Sequence, residues 1–117
     1  MSMNMTGRSI EFRVKAGSEA TIYINIKNYD KTIKNLNDTN LFNTAVWKVW
    51  KPDGTLIING AATYTDRVNG EVSYTLQTAD TVIANAGVWE GEVELFDISS
   101  NLVEQSETFN FVIEESY

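Results

Sequence analysis

Ala20-Thr21-Ile22-Tyr23-Ile24-Asn25-Ile26-Lys27 alternates without a break. Ala20, Ile22, Ile24 and Ile26 fall on one side; Thr21, Tyr23, Asn25 and Lys27 fall on the other. Successive side chains of a strand point to opposite faces, so this stretch reads as a strand with one face in the core and one in water. Its β-branched and aromatic residues suit a pleated, half-buried surface. No segment of the chain sustains a helical apolar period over three turns.

The same period runs outward in both directions. Upstream, Ile10-Glu11-Phe12-Arg13-Val14 alternates and Ala16-Gly17-Ser18 ends it. Downstream, Asn28 to Asn43 is a long polar connection, which Leu36, Leu41 and Phe42 are expected to pin to the core. Its length leaves room for a short hairpin or helical turn. Thr44 to Lys51 is a strand, and Pro52-Asp53-Gly54 supplies turn chemistry: Pro presets its dihedral and Gly accepts positive φ. Thr55 to Asn59 returns as a strand, Gly60 is expected to break it, and Ala62 to Thr65 continues. Asn69-Gly70 marks a tight hairpin, after which Val72, Tyr74 and Leu76 alternate.

Thr78 to Ala86 is the one candidate helical turn, with Thr78 or Asp80 as its cap and Gly87 at its end. Val88 to Phe96 follows as a long strand with Trp89, Gly91, Val93 and Leu95 inward. Asp97 to Asn101 turns the chain. Leu102 to Ile113 is the last strand, with Phe109, Phe111 and Ile113 on the core side. The pattern predicts an all-β chain, an immunoglobulin-like β-sandwich of seven to eight mostly antiparallel strands. Residues 1–9 are expected to form an N-terminal arm and residues 10–117 a single domain.

Composition narrows the function. The chain of 117 residues has no Cys and no His, which removes thiolate nucleophiles, disulfides, the commonest general base and the favoured transition-metal ligands. No cofactor, metal site or catalytic residue is expected, and an enzyme is the least favoured class. No apolar run approaches the roughly 20 residues that span a membrane. The N-terminal residues lack the charged start and apolar core of a signal peptide, so neither membrane insertion nor signal-directed export is expected. The net charge of −7 is distributed unevenly: all nine Lys and Arg lie at or before Arg67. A surface of that sign repels phosphates, so no nucleic acid is expected as a partner.

The residues that remain point to contacts with protein. Trp47 and Trp50 lie three apart on one strand and therefore face opposite ways. Trp47 belongs in the core with Ala45 and Val49, which leaves Trp50 outside beside Val46. An exposed Trp next to an exposed Val suits a binding surface, because Trp is enriched at hot spots. Tyr23, outward on the second strand, and Val112, outward on the last, are weaker candidates. Glu90, Glu92 and Glu94 form an acidic row on one outward face. Residues two apart on a strand stand about 6.6–6.8 Å apart, too far for all three to hold one ion close to the backbone. Ordinary cross-strand pairing, with Lys48 opposite one of these acids, is the simpler reading. Gly91 inside its strand implies a bulge, or space for Trp47 or Trp89 to pack across it.

Taken in order, several stretches resemble one family: the Gly17-Ser18 turn before a Thr-Ile-Tyr-Ile strand, Trp47-Lys48-Val49-Trp50-Lys51-Pro52-Asp53-Gly54-Thr55, Asp66, Asn69-Gly70-Glu71-Val72-Ser73-Tyr74-Thr75-Leu76, Ala86-Gly87-Val88-Trp89-Glu90-Gly91-Glu92-Val93-Glu94, and Phe109-Asn110-Phe111-Val112-Ile113. Together they are similar to the N-terminal domain of phage baseplate upper proteins, from tailed phages and prophages of Gram-positive bacteria. The long Asn28 to Asn43 connection departs from that pattern. The resemblance implies an immunoglobulin-like attachment module without enzymatic activity, which anchors a host-adsorption arm to the tail hub. It implies a virion protein made in the host bacterial cytoplasm, with other phage tail and baseplate proteins as partners and a homo-oligomer as a further option. Val46, Trp50, Tyr23, Glu90, Glu92 and Glu94 are the partner-binding candidates. A carbohydrate-binding sandwich, with Trp50 and a tyrosine as its platform for cell-surface glycan, is the alternative.

Overall fold

A computed structural model describes residues 10–115, so the expected arm at residues 1–9 lies outside the described residues. The strands are β1 (Ile10–Lys15), β2 (Thr21–Asn25), β3 (Thr44–Trp50), β4 (Leu56–Asp66), β5 (Glu71–Thr75), β6 (Gly87–Phe96), β7 (Leu102–Gln105) and β8 (Phe109–Glu114). They follow the order β1-β8-β6-β3-β4-β5-β2, with β7 also against β6. Among the described residues only β1 and β8 run parallel; the other strand pairs are antiparallel.

Strand β4 joins two layers. Its first part, through Ala62, pairs with β3, and from Thr63 it pairs with β5. The inner faces of the two layers then close on each other. Trp47, Val49, Val93, Leu95, Phe109, Phe111 and Ile113 come from one layer; Ile24, Val72 and Tyr74 come from the other. Each large apolar side chain so buried stabilises the fold by roughly 1.5–3 kcal/mol. The sandwich follows from the period-two pattern, because the buried residues are those that the alternation sets inward.

Four local expectations are corrected. Gly60 does not interrupt β4: a Cβ there would stand 2.6 Å from the Tyr74 ring, so the glycine admits that ring across an unbroken strand. The stretch from Leu102 to Ile113 is two strands, because the chain leaves the β6 ladder after Gln105. Ser106 closes the gap, its backbone N–H donating to the Val93 carbonyl and its Oγ accepting from the Val93 N–H, both at 2.8 Å. The helical turn shrinks to a 3₁₀ turn at Ile83–Asn85 without a side-chain cap. Asp80 instead accepts hydrogen bonds from the Gln77 N–H and the Tyr74 hydroxyl, and Gly87 opens β6. Of the three residues expected to pin the long connection, Leu36 and Phe42 are buried but Leu41 is 43% exposed. The room that connection leaves for a short hairpin or helical turn is taken by a single bridge between Lys27 and Ile33 and by one turn closed by the Phe42 N–H on the Asp38 carbonyl at 2.8 Å. The Asn69-Gly70 hairpin forms, with Gly70 at φ 69° in the left-handed region that favours glycine.

Candidate functional site on the outer face of β3 and β6

The register between β3 and β6 sets Val46 opposite Glu94, Lys48 opposite Glu92 and Trp50 opposite Glu90. Directly opposed residues share a face, and the intervening Ala45, Trp47 and Val49 fill the core. Five of the six candidates therefore gather on one outer surface. Beyond β6, Asn110 of β8 stands opposite Glu90 and Gln105 of β7 opposite Glu94.

This surface is an ordered polar network. Lys48 Nζ lies 2.6 Å from Glu94 Oε1. Gln105 Nε2 donates to Glu92 Oε1 at 2.8 Å and reaches Glu94 Oε2 at 3.5 Å. Lys48 thus meets the acidic row as expected, crossing diagonally to Glu94 rather than to its direct partner Glu92. Gln105 was hidden from the sequence reading, since a single strand from Leu102 to Ile113 does not turn it toward the acids. Among the described residues, no group of three or more His, Cys, Asp or Glu could hold a metal ion.

Burial raises the Glu92 carboxyl above its ordinary range, and the charge of neighbouring Glu94 adds to this, while Gln105 and Lys48 pull it back. A carboxyl raised in the folded state binds its proton more tightly than in the unfolded chain. Stability from this site is therefore greatest in acid and falls as pH rises through the folded value. Glu92→Gln keeps the acceptor for Gln105 and removes the charge. It is expected to raise the melting temperature at neutral pH and to leave it unchanged in acid, where Glu92 is protonated in both the folded and the unfolded chain. Thermal melts of the two proteins at both pH values test this, and a lower melting temperature at neutral pH contradicts it.

Three candidates are less exposed than expected. Val46 and Trp50 face outward but are half-buried, because β3 has neighbours on both sides whose side chains cover them. The β3–β4 register also shifts between Val49 and Trp50, an irregularity beside the Trp. Val112 lies between Arg13 and Val88 and is only 6% exposed. Tyr23 is 54% exposed but sits on β2, opposite Ser73 in the other layer, so it shares no face with Trp50. Trp50 and Tyr23 do not form one aromatic platform. Gly91 does leave space for a ring: a Cβ there would stand 2.5 Å from both the Lys48 carbonyl oxygen and the Phe109 ring. Phe109, rather than Trp47 or Trp89, uses that space.

A concavity of about 1020 Å³ lies between the 27–34 connection and β7. Lys31 and Lys34 reach across it to Glu107 and Glu104, at 2.5 and 2.9 Å. Its lining is mostly charged or polar, with Lys31 and Lys34 paired within the chain, unlike the apolar clefts that hold small molecules.

The family model described as "BppU N-terminal domain" matches residues 2–117. Among solved structures, the "N-terminal domain of phage TP901-1 ORF48" is similar, with a TM-score of 0.64, 13% identity, and 93% of this chain and 91% of that one covered. CopC from Methylosinus trichosporium OB3b is similar with a TM-score of 0.53 and 9% identity over 94% of this chain and 88% of its own. Likeness at such identities shows the fold alone. Among curated proteins, none matches.

Proposed function

The chain belongs to the BppU N-terminal domain family, a structural domain of phage baseplates, and from that membership we propose that it is the attachment module of a host-adsorption arm. In this reading residues 10–117 act as one domain that docks the arm to the tail hub through protein–protein contacts, in a virion assembled in the host cytoplasm. One observation carries the assignment of the surface: Val46, Trp50, Glu90, Glu92 and Glu94 share the outer face of β3 and β6. Half-buried apolar residues bordered by fixed charges suit a small interface, where the apolar anchor supplies affinity and the charges set register. No step of chemistry is assigned to the site. Its contribution is complementarity.

The test is a pull-down of tagged protein from phage-infected or prophage-induced cells, followed by binding measurements with the purified baseplate partner. Recovery of tail-hub or baseplate proteins is expected. Trp50→Ala is expected to weaken the complex by about 30-fold, the loss typical of a hot-spot aromatic. The variant's far-UV spectrum and melting curve establish that the fold is retained. Recovery of baseplate proteins with undiminished affinity by Trp50→Ala moves the interface off this face. Recovery of cell-wall glycan and no phage protein removes the assembly reading.

A further inference from the structure

Strand β2 pairs with β5 and with no other described strand, so one of its edges is open. Folded proteins usually blunt such edges with charges, Pro or bulges. The other terminal strand does so: β1 carries Glu11, Arg13 and Lys15, all ion-paired. On β7, Glu104 is covered by Lys34. In contrast, Thr21-Ile22-Tyr23-Ile24-Asn25 contains no charge and no Pro, and its register with β5 is unshifted. The long connection does not cover this edge. It folds back over the β4–β5 turn, where the Leu36 N–H donates to the Arg67 carbonyl at 2.7 Å.

The backbone of β2 is turned outward at alternate residues. The Leu76 N–H donates to the Ala20 carbonyl, and the Ile26 N–H donates to the Gly70 carbonyl. The even-numbered residues thus bond toward β5, and the N–H and C=O groups of Thr21, Tyr23 and Asn25 point to the open edge.

The sequence of this edge is self-complementary about Tyr23. In an antiparallel pair of two copies centred there, Tyr23 meets Tyr23, Ile22 meets Ile24, and Thr21 meets Asn25. Two residues beyond each end, past Ala20 and Ile26, Glu19 meets Lys27, and the twofold axis repeats that pair on the other side. Glu19, Thr21, Asn25 and Lys27 are exposed, and among the described residues neither Glu19 nor Lys27 has an ion-pair partner. Centring on Tyr23 also places opposite each other the residues whose backbone groups face out, so Tyr23 with its copy and the two Thr21–Asn25 pairs can exchange both their hydrogen bonds, while Ile22 and Ile24 stay bonded to β5. We propose that the β2 edge is a self-association surface, on which a second copy of this chain adds its own β2 antiparallel across a twofold axis at Tyr23.

An edge this short makes a small interface, so the dimer is weak in isolation and gains weight where copies are held at high local concentration. The inference concerns a different face from the proposed attachment surface and does not rest on it. Sedimentation equilibrium of the purified chain up to about 1 mM tests it, a range chosen for a weak complex. A monomer–dimer equilibrium is expected. Glu19→Lys alone, and Lys27→Glu alone, each set like charges opposite twice over and are expected to weaken association about tenfold or more. The double exchange restores it, as does mixing the two single variants. Tyr23→Pro removes an outward N–H and is expected to abolish the dimer while the melting temperature stays within a few degrees. A monomer throughout the range overturns the proposal, as does a dimer indifferent to the single charge reversals.

Discussion

Trp47→Ala is expected to destabilise the fold by about 3–5 kcal/mol, the cost of truncating a buried large aromatic. That is a large share of the roughly 5–15 kcal/mol that holds a domain folded. The Trp47 ring is fully buried. It contacts Phe12 of β1 edge-on at 5.4 Å, Phe109 of β8 at 5.1 Å, and Tyr74 of β5 in a stack at 6.0 Å. These neighbours belong to both layers, so the side chain fixes the spacing of the sandwich as well as filling it. Alanine leaves a void that strands paired on both sides cannot close. The melting temperature is expected to fall by roughly 10–20 °C. A fall of only a few degrees contradicts the role given to this residue.

The same ring carries an internal cost. Its Nε1–H is buried with no hydrogen-bond acceptor among the described residues. A donor left unpaired in a core costs about 1–3 kcal/mol, so Trp47→Phe, which removes it along with part of the ring, is expected to lose less than half of what alanine loses. The comparison separates the packing of the ring from the chemistry of its nitrogen.

Trp47 was legible because strand alternation is a local property of the sequence. The strands, the core side of each, and the meeting of Lys48 with the acidic row all follow from period two plus one assumption about neighbours. What failed depends on three-dimensional context. Gly60 looks like a breaker in one dimension but is a point where the Tyr74 ring passes close to backbone, and at Gly91 the sequence points to a ring packing across the strand without showing that the ring is Phe109. Ser106 carries no mark of a strand break, because its role is to replace a backbone acceptor with a hydroxyl. The half-burial of Trp50 depends on which strands flank β3, and no periodicity within β3 contains that information. Alternation puts Tyr23 outward like the other candidates, but β2 lies in the other layer and separates it from them.

Arg67 is the residue whose importance the sequence conceals most, and its loss is the second large effect expected. In the sequence it only marks where the basic residues end. In the fold its Nη1 donates to the carbonyls of Leu36 and Phe42, each at 2.9 Å, and its guanidinium lies 3.9 Å from the centre of the Tyr64 ring. Leu36 and Phe42 are the two buried points of the long connection, so one side chain ties both to the β4–β5 turn. Arg67→Ala removes two charge-assisted hydrogen bonds and a stacked cation, a loss of about 2–4 kcal/mol. Arg67→Lys is expected to recover only part, because an ammonium cannot both stack flat on Tyr64 and present a fork to two carbonyls. The loss should be felt first in the connection. Hydrogen exchange at the Leu36 and Phe42 amides, which donate to the Arg67 and Asp38 carbonyls, is expected to quicken about tenfold or more, ahead of the amides of β3 and β6. Uniform quickening across both sheets instead means that Arg67 supports the whole sandwich. Unchanged exchange means that Leu36 and Phe42 hold the connection by burial alone.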